Sequence, residues 1–415
     1  MDNDLGSTTS TSGPQATPTG EGPLKGIRVI EIGSMVAGPV ACTLLGDFGA
    51  EVIKVEPPGK GDPIRAIGPF VGDESLWFQV EGRNKRSMTI DLRRPAGQAL
   101  FRKLAETADV VIENFRPGTL TKWQIDYAAL SKINPRLIMV SLSGFGQTGP
   151  YASRASYDRI ALAFSGLLGA TGYPDRPPVR PATAIADYQT ALFGAFGAML
   201  ALYHREAHGG EGQSVDLALF EAVFRFTDVM ITAFDKLGQP RERRGNRHFA
   251  AAPGDHFETN EGGFLVLTCS GDSVFERLAT AMGRPDLPLD PAFCTHDQRW
   301  QNIDSINAIV GEWIKSKPNA EIRAVLDAHQ LAYSPVYGPR DILQDDHYAA
   351  REAIAAVDVP GIGVIKMPGI FPKMSASPPS PLRPAPLLGA DTQAMLDELD
   401  IPADQAAQFR ADGIV

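Results

Sequence analysis

The chain has 415 residues, 43% apolar and 21% charged, the make-up of a globular protein long enough for two or three domains. Its 39 basic and 49 acidic residues leave a formal charge of −10, which excludes a broad basic footprint for nucleic acid. Three cysteines (Cys42, Cys269 and Cys294) form no C-x-x-C pair and cannot build a disulfide framework, and the longest uncharged apolar run, residues 191–203, is shorter than the roughly 20 residues a membrane span needs.

Residues 1–22 are rich in Ser, Thr, Gly and Pro, with no basic residue and no apolar stretch, and read as a disordered tail rather than a targeting segment. With no export signal, a cytoplasmic location is expected. From 26 to 32 the chain reads as a buried strand, 38–48 as a helix of small and apolar residues, and 51–56 as a second strand. Strand, helix and strand within about 30 residues form a βαβ unit with parallel pairing and a right-handed crossover. A helix from Pro95 to about Thr107 and strands at 108–113 and 136–142 continue the alternation, which predicts a doubly wound α/β domain. A long helix is expected over 187–206, ending at Gly209-Gly210, then a strand at 213–217 and a helix at 220–237. The texture changes near 240, where basic residues, Gly and Pro mix. A strand at 264–268 and helices near 272–282 and 300–330 follow. These features place a smaller domain at 240–335, between a large domain at 23–239 and a segment at 336–415 that returns to it.

Three motifs carry weaker chemistry. Gly144-Phe145-Gly146-Gln147-Thr148-Gly149 fits G-x-G-x-x-G, but Pro150-Tyr151 follows where a dinucleotide site needs a helix. His204 and His208 share a helix face at zinc-ligand spacing, but without the glutamate of the protease motif and at a helix C-terminus, where the dipole favours histidine. No metal site is expected. No G-x-S-x-G is present.

Asp187, in the small apolar stretch ATAIADYQ, has two readings. As an N-cap it would satisfy the orphan N–H groups of the helix that starts there. As a nucleophile it would attack an activated carbonyl, kept ionised by those N–H groups and the helix dipole.

Seven motifs in order, PLKGIRVIEIGSMVAGP (23–39), LLGDFGAEVIKVEPPGKGD (44–62), NKRSMTIDLRRPAG (84–97), ADVVIENFRPG (108–118), SGFGQTGPYASRASYD (143–158), ATAIADY (182–188) and APLLGADT (385–392), resemble the class III CoA-transferase family over nearly the whole chain. That family includes formyl-CoA, carnitine and dicarboxylate CoA-transferases, and α-methylacyl-CoA racemases share its fold. The resemblance implies a Rossmann-like large domain formed by both chain ends, a smaller inserted α/β domain, and an interlocked homodimer. It places the family's nucleophilic aspartate at Asp187, with Tyr157 and Asp158 lining the same pocket. It also places CoA contacts at Met35, Ala37, Ile90, Arg93, Asn114, Phe115 and Lys122.

CoA carries phosphates, and an acidic chain must gather cations locally. Arg83, Lys85, Arg86, Arg93, Arg94, Arg116 and Lys122 are the candidate cluster. The glycine-rich lid of some relatives corresponds to 244–254, without the run of glycines. Val36 and Ile67 replace a glutamine and a tryptophan of formyl-CoA transferase, which points to a larger acyl group. The implied activity is transfer of CoA from an acyl-CoA to a free carboxylic acid, a dicarboxylate by overall similarity, through an aspartyl-CoA thioester. Arg154, Arg159 or Arg180 would be placed to pair with a second carboxylate. Acyl-CoA and carboxylate are substrates, and no bound cofactor is implied. The alternative is an acyl-CoA racemase, which needs two acid/base groups about the α-carbon, where the racemases' His-Asp pair is replaced by Tyr157-Asp158.

Overall fold

The computed structural model describes residues 21–415, so the 1–22 tail expected from the sequence lies almost entirely outside the described residues. The chain forms two compact units. Of the described residues, the first comprises 21–165, 181–226 and 352–415; the second comprises 166–180 and 227–351.

The first unit is built on a six-stranded sheet. Its strands are β1 (Arg28–Glu31), β2 (Glu51–Glu56), β3 (Lys85–Thr89), β4 (Val110–Glu113), β5 (Ile138–Ser143) and β6 (Ser214–Ala218). All pairs are parallel and the spatial order is β3-β2-β1-β4-β5-β6. That order is the doubly wound one, with its topological switch between β1 and β4. Strand residues are rich in Val and Ile and alternate between two buried faces. Val29, Val52 and Val110 point into one core, and Ile30, Ile53 and Val111 into the other.

Helices α1 (Ala37–Asp47), α2 (Leu76–Glu81), α3 (Pro95–Ala105), α4 (Asp158–Phe164) and α5 (Ile185–His208) belong to this unit. α1 and α5 supply Val40, Leu45, Ala191, Ala198 and Leu202 to one core. α3 supplies Phe101 and Leu104 to the other, joined by Met395 and Leu396 of the C-terminal segment. Gly194 lets α5 approach the sheet, since a Cβ there would meet Leu142 at 3.2 Å. The C-terminal segment also covers the edge of β3, whose Ser87 N–H donates to Asp391 (2.9 Å) and whose Thr89 N–H donates to Thr392 Oγ1 (3.0 Å).

The second unit holds a three-stranded antiparallel sheet of β7 (Gly254–Glu258), β8 (Phe264–Thr268) and β9 (Tyr333–Pro335), with β8 in the middle. Leu265, Leu267, Phe275, Leu278, Val310 and Leu326 form its core.

Three expectations change. The helix expected over 220–237 is two, Leu219–Phe224 and Met230–Leu237, parted where Asp228 takes φ 46°. The helical stretch at 300–330 is three shorter helices, His296–Gln301, Ile303–Lys315 and Asn319–Ala328. α5 is long and apolar enough to cross a membrane by length and composition, which the uncharged run alone did not reveal. However, nine of its residues, Arg205 among them, are buried in the first unit.

Candidate active site

The loop after β1 and the residues after β4 meet at the switch point, where doubly wound folds bind ligands. Asn114 clamps the loop from one side. Its Oδ1 accepts from the Ser34 N–H and its Nδ2 donates to the Ser34 carbonyl, both at 2.8 Å. Gly33 is what lets them close, because a Cβ there would stand 3.1 Å from Gly38 Cα and 3.3 Å from Asn114 Oδ1. From the other side, Asp62 Oδ1 accepts from the Met35 N–H at 3.0 Å.

A cavity of about 270 Å³ opens here, lined by Gly33, Ser34, Lys54, Asp62, Ile90, Arg93, Phe115 and Trp123 among others. It brings together three of the expected CoA contacts, Ile90, Arg93 and Phe115. The Phe115 and Trp123 rings meet edge to face at 5.2 Å. The backbone N–H of Phe115 donates to Glu113 at 2.7 Å, and burial pushes that carboxyl up to about 7. Asn114 reaches the cavity through Ser34. Met35 is part-buried beside it, Ala37 is buried as the first residue of α1, and Lys122 is exposed next to Trp123.

The expected phosphate-binding cluster is largely spent on structure. Arg83 pairs with Asp47 at 2.7 Å, Lys85 is buried on Glu31 at 2.7 Å, and Arg86 meets Glu51 and Glu398 at 2.6 and 2.8 Å. Arg93 forks onto Asp91 but stays exposed. Arg94, Arg116 and Lys122 are the members without a carboxylate partner among the described residues.

Asp187 lies in the first turn of α5, which begins at Ile185 after the N-cap residue Ala184. Ala184 offers no side-chain acceptor, and Asp187 sits inside the first turn, so the N-cap reading of Asp187 does not hold. Asp158 opens α4, is buried, and accepts a hydrogen bond from the Ala186 N–H at 2.7 Å. Burial first, and then the Asp158 charge, push the Asp187 carboxyl up to about 7. The helix terminus therefore does not hold Asp187 in the ordinary carboxylate range, because desolvation and a like charge outweigh the dipole.

Tyr157, by contrast, is 74% exposed. Arg154 stacks on Tyr151 at 3.6 Å and Arg159 is exposed. The G-x-G-x-x-G stretch is a loop, and the next helix begins only at Asp158. His204 and His208 lie 5.7 Å apart at the C-terminal end of α5, and no group of three or more metal-ligating side chains occurs among the described residues.

Sequence reading missed two groups. Tyr188, next to Asp187, donates to Glu81 at 2.8 Å and accepts from Trp77 Nε1 at 3.3 Å, tying α5 to α2. Burial raises the Glu81 carboxyl and, with Glu81 beside it, the Tyr188 phenol. The second group is the buried charge network of Glu31, Lys54, Asp62 and Lys85. The acidic and basic residues of KVEPPGKGD were its signal, but their partners are set by sheet pairing. The 244–254 segment expected as a lid belongs to the second unit. There Arg244, Arg247, Tyr173 and Trp300 line a cavity of about 910 Å³.

Comparison with known proteins gives concordant matches. The sequence model of CoA-transferase family III matches residues 24–392. The chain is 40% identical to a succinyl-CoA–D-citramalate CoA-transferase of Chloroflexus aurantiacus, covering 95% of this chain and 98% of that one. It is 41% identical to the alpha subunit of a succinyl-CoA–L-malate CoA-transferase of the same organism, covering 97% and 96%. A crystal structure of a CAIB/BAIF family protein from Brucella suis superposes with a TM-score of 0.82 at 34% identity, covering 91% of this chain and all of that one.

Proposed function

Because the chain belongs to CoA-transferase family III, and is an enzyme of that family, we propose that it moves CoA from a succinyl-type acyl-CoA to a free dicarboxylic acid through a covalent adduct on Asp187. The observation that carries this reading is Asp187 itself: a part-buried carboxylate on the first turn of α5, raised to about 7 and engaged in no cap. A carboxyl raised to about 7 keeps roughly half its population in the nucleophilic form at neutral pH, and desolvation makes that form reactive.

The ionised Asp187 attacks the thioester carbonyl. The C–S bond breaks, leaving a mixed anhydride and the CoA thiolate. The thiolate attacks the Asp187 carboxyl carbon, which expels the donor acid and forms an aspartyl-CoA thioester. The acceptor carboxylate attacks that thioester, giving a second anhydride and the thiolate again. The thiolate then attacks the acceptor's acyl carbon, so the new acyl-CoA leaves and Asp187 is regenerated as a carboxylate. Each step exchanges one activated acyl group for another, and water must be kept out for the activation to survive.

In this reading Asp158 holds the backbone before Asp187 and adds a negative charge beside it. Met35, Ala37, Ile90, Arg93, Asn114, Phe115 and Lys122 lie along the coenzyme, and Tyr157 borders the acyl group. The succinyl-CoA relatives acting on malate and citramalate support a dicarboxylate acceptor of that size. We also read the enzyme as an interlocked homodimer that needs no bound cofactor. Its three free cysteines favour a reducing compartment, the cytoplasm. The racemase alternative has less support, since the racemases' histidine is replaced by Tyr157, whose side chain is largely exposed.

The test is adduct trapping. Succinyl-CoA without acceptor, followed by hydroxylamine, is expected to leave a hydroxamate on the peptide containing Asp187, seen by mass spectrometry. Asp187→Ala is expected to abolish both adduct and transfer. An unlabelled Asp187 in an actively transferring enzyme would end this mechanism.

A further inference from the structure

Met35 has a left-handed backbone, φ 67°, in the turn between β1 and α1. A residue with a Cβ does not settle there unaided, so the surroundings must hold it. The holder is Asp62. One carboxylate oxygen accepts from the N–H groups of Met35 and Ile64, both at 3.0 Å, and the other meets Lys54 Nζ at 2.7 Å. Lys54 also reaches Glu31 at 2.5 Å. Glu31 pairs with Lys85 at 2.7 Å, and Lys85 donates to the Pro39 carbonyl of α1 at 2.8 Å.

All four charged side chains are buried. Such networks gain little stability over apolar packing, so what this one supplies is geometry. It also changes what the turn can bind. In doubly wound folds the first βα turn commonly offers free N–H groups to a phosphate. Here the Ser34 N–H is taken by Asn114 and the Met35 N–H by the protein's own Asp62 carboxylate.

We propose that Asp62, backed by Lys54, is a positioning residue for acyl-CoA: it holds Met35 in its left-handed conformation and so sets the Gly33–Ser34 wall of the cavity. The turn then shapes the coenzyme site instead of anchoring a phosphate. This rests on the reading that CoA lies along the first unit.

The experiment measures free CoA binding by calorimetry, together with KM and kcat for transfer, on the full chain. Native protein that fails to bind CoA would defeat the underlying reading, whatever Asp62 does. If native protein binds, Asp62→Ala is expected to weaken CoA about tenfold and to raise KM more than it lowers kcat, because Asp187 is untouched. Met35→Gly alone is the reference, because Met35 is itself read as lying along the coenzyme. Against it, adding Asp62→Ala is expected to cost only about threefold, so that about threefold of the loss is recovered, since glycine takes positive φ without strain. A purely structural role for Asp62 would give no such recovery. Native affinity in Asp62→Ala, or a loss that Met35→Gly does not relieve, overturns the proposal. If Asp62→Ala does not fold, Asp62→Asn with and without Met35→Gly is read in the same way: a loss that glycine recovers supports it, and any other result overturns it.

Discussion

The Asp158 carboxylate accepts a 2.7 Å hydrogen bond from the backbone N–H of Ala186, so one acid is tied to the residue that immediately precedes another, Asp187. The link does two opposing things. It fixes the first turn of α5, and it sets a negative charge near a carboxyl that burial already disfavours ionising.

The rate of adduct formation is therefore expected to rise with pH through about 7, as Asp187 ionises. Asp158→Asn keeps an oxygen for the Ala186 N–H and removes the charge. With a like charge gone, the ionised form of Asp187 is favoured and the limb moves to lower pH. Burial is the larger cause, so the limb stays above the ordinary carboxylate range. Single-turnover rates from pH 5 to 9 read this directly, and a limb that stays put or moves upward in Asp158→Asn refutes the coupling.

The same raised pKa has a stability consequence. A group whose folded pKa exceeds its unfolded value contributes fully below the unfolded pKa, and that contribution is lost as pH rises through the folded one. For Asp187 the window runs from about 4 to about 7. Asp187→Asn is expected to be inactive in transfer but more stable than the native chain at pH 8, by about 1–3 kcal/mol. The gap should close as pH falls towards 4. Thermal melts at both pH values decide it, and an Asn variant no more stable at pH 8 would show that the carboxylate pays no burial cost.

How far the sequence carries can be judged residue by residue. Glu51–Glu56 was legible as a strand to the residue, because a β-branched apolar run is buried whatever its neighbours. Lys85–Thr89 was not, because KRSMT looks solvent-facing until Glu31, far earlier in the chain, neutralises Lys85. Arg86 reads as a phosphate ligand until the tail brings Glu398 to it at 2.8 Å. Asp187 was legible as the start of a helix. Its raised pKa was not, since that depends on burial and on Asp158, whose approach only tertiary packing determines. The break at Asp228 follows no proline or glycine and left no local mark.

Lys85 offers a direct test of the buried network. Lys85→Met strips one of two cations from Glu31, which is fully buried, and leaves its carboxylate half-compensated by Lys54. Breaking a buried pair from one side is expected to cost about 3 kcal/mol, read from the midpoint of urea unfolding. Glu31→Gln combined with Lys85→Met should cost less than the two single changes added together, because the unpaired charge is gone. Strict additivity would mean that the two side chains do not interact energetically.

Along α5, Leu192, Phe196, Leu200 and Tyr203 are each more than half exposed, at helical spacing on one face. An apolar stripe of this kind is unusual on a monomer and common at interfaces between chains. The proposed homodimer supplies its cover. Light scattering is expected to give about twice the 44.6 kDa chain mass and to hold that value on dilution to about 0.1 µM, because interlocked chains cannot separate without unfolding. Phe196→Glu puts a charge into the stripe. If a second copy covers it, the variant should lose the dimer mass, appearing as a single chain or as aggregate, whereas an exposed face would tolerate the change. A native protein at single-chain mass would refute the dimer, and an unaltered dimer in Phe196→Glu would move the interface away from α5.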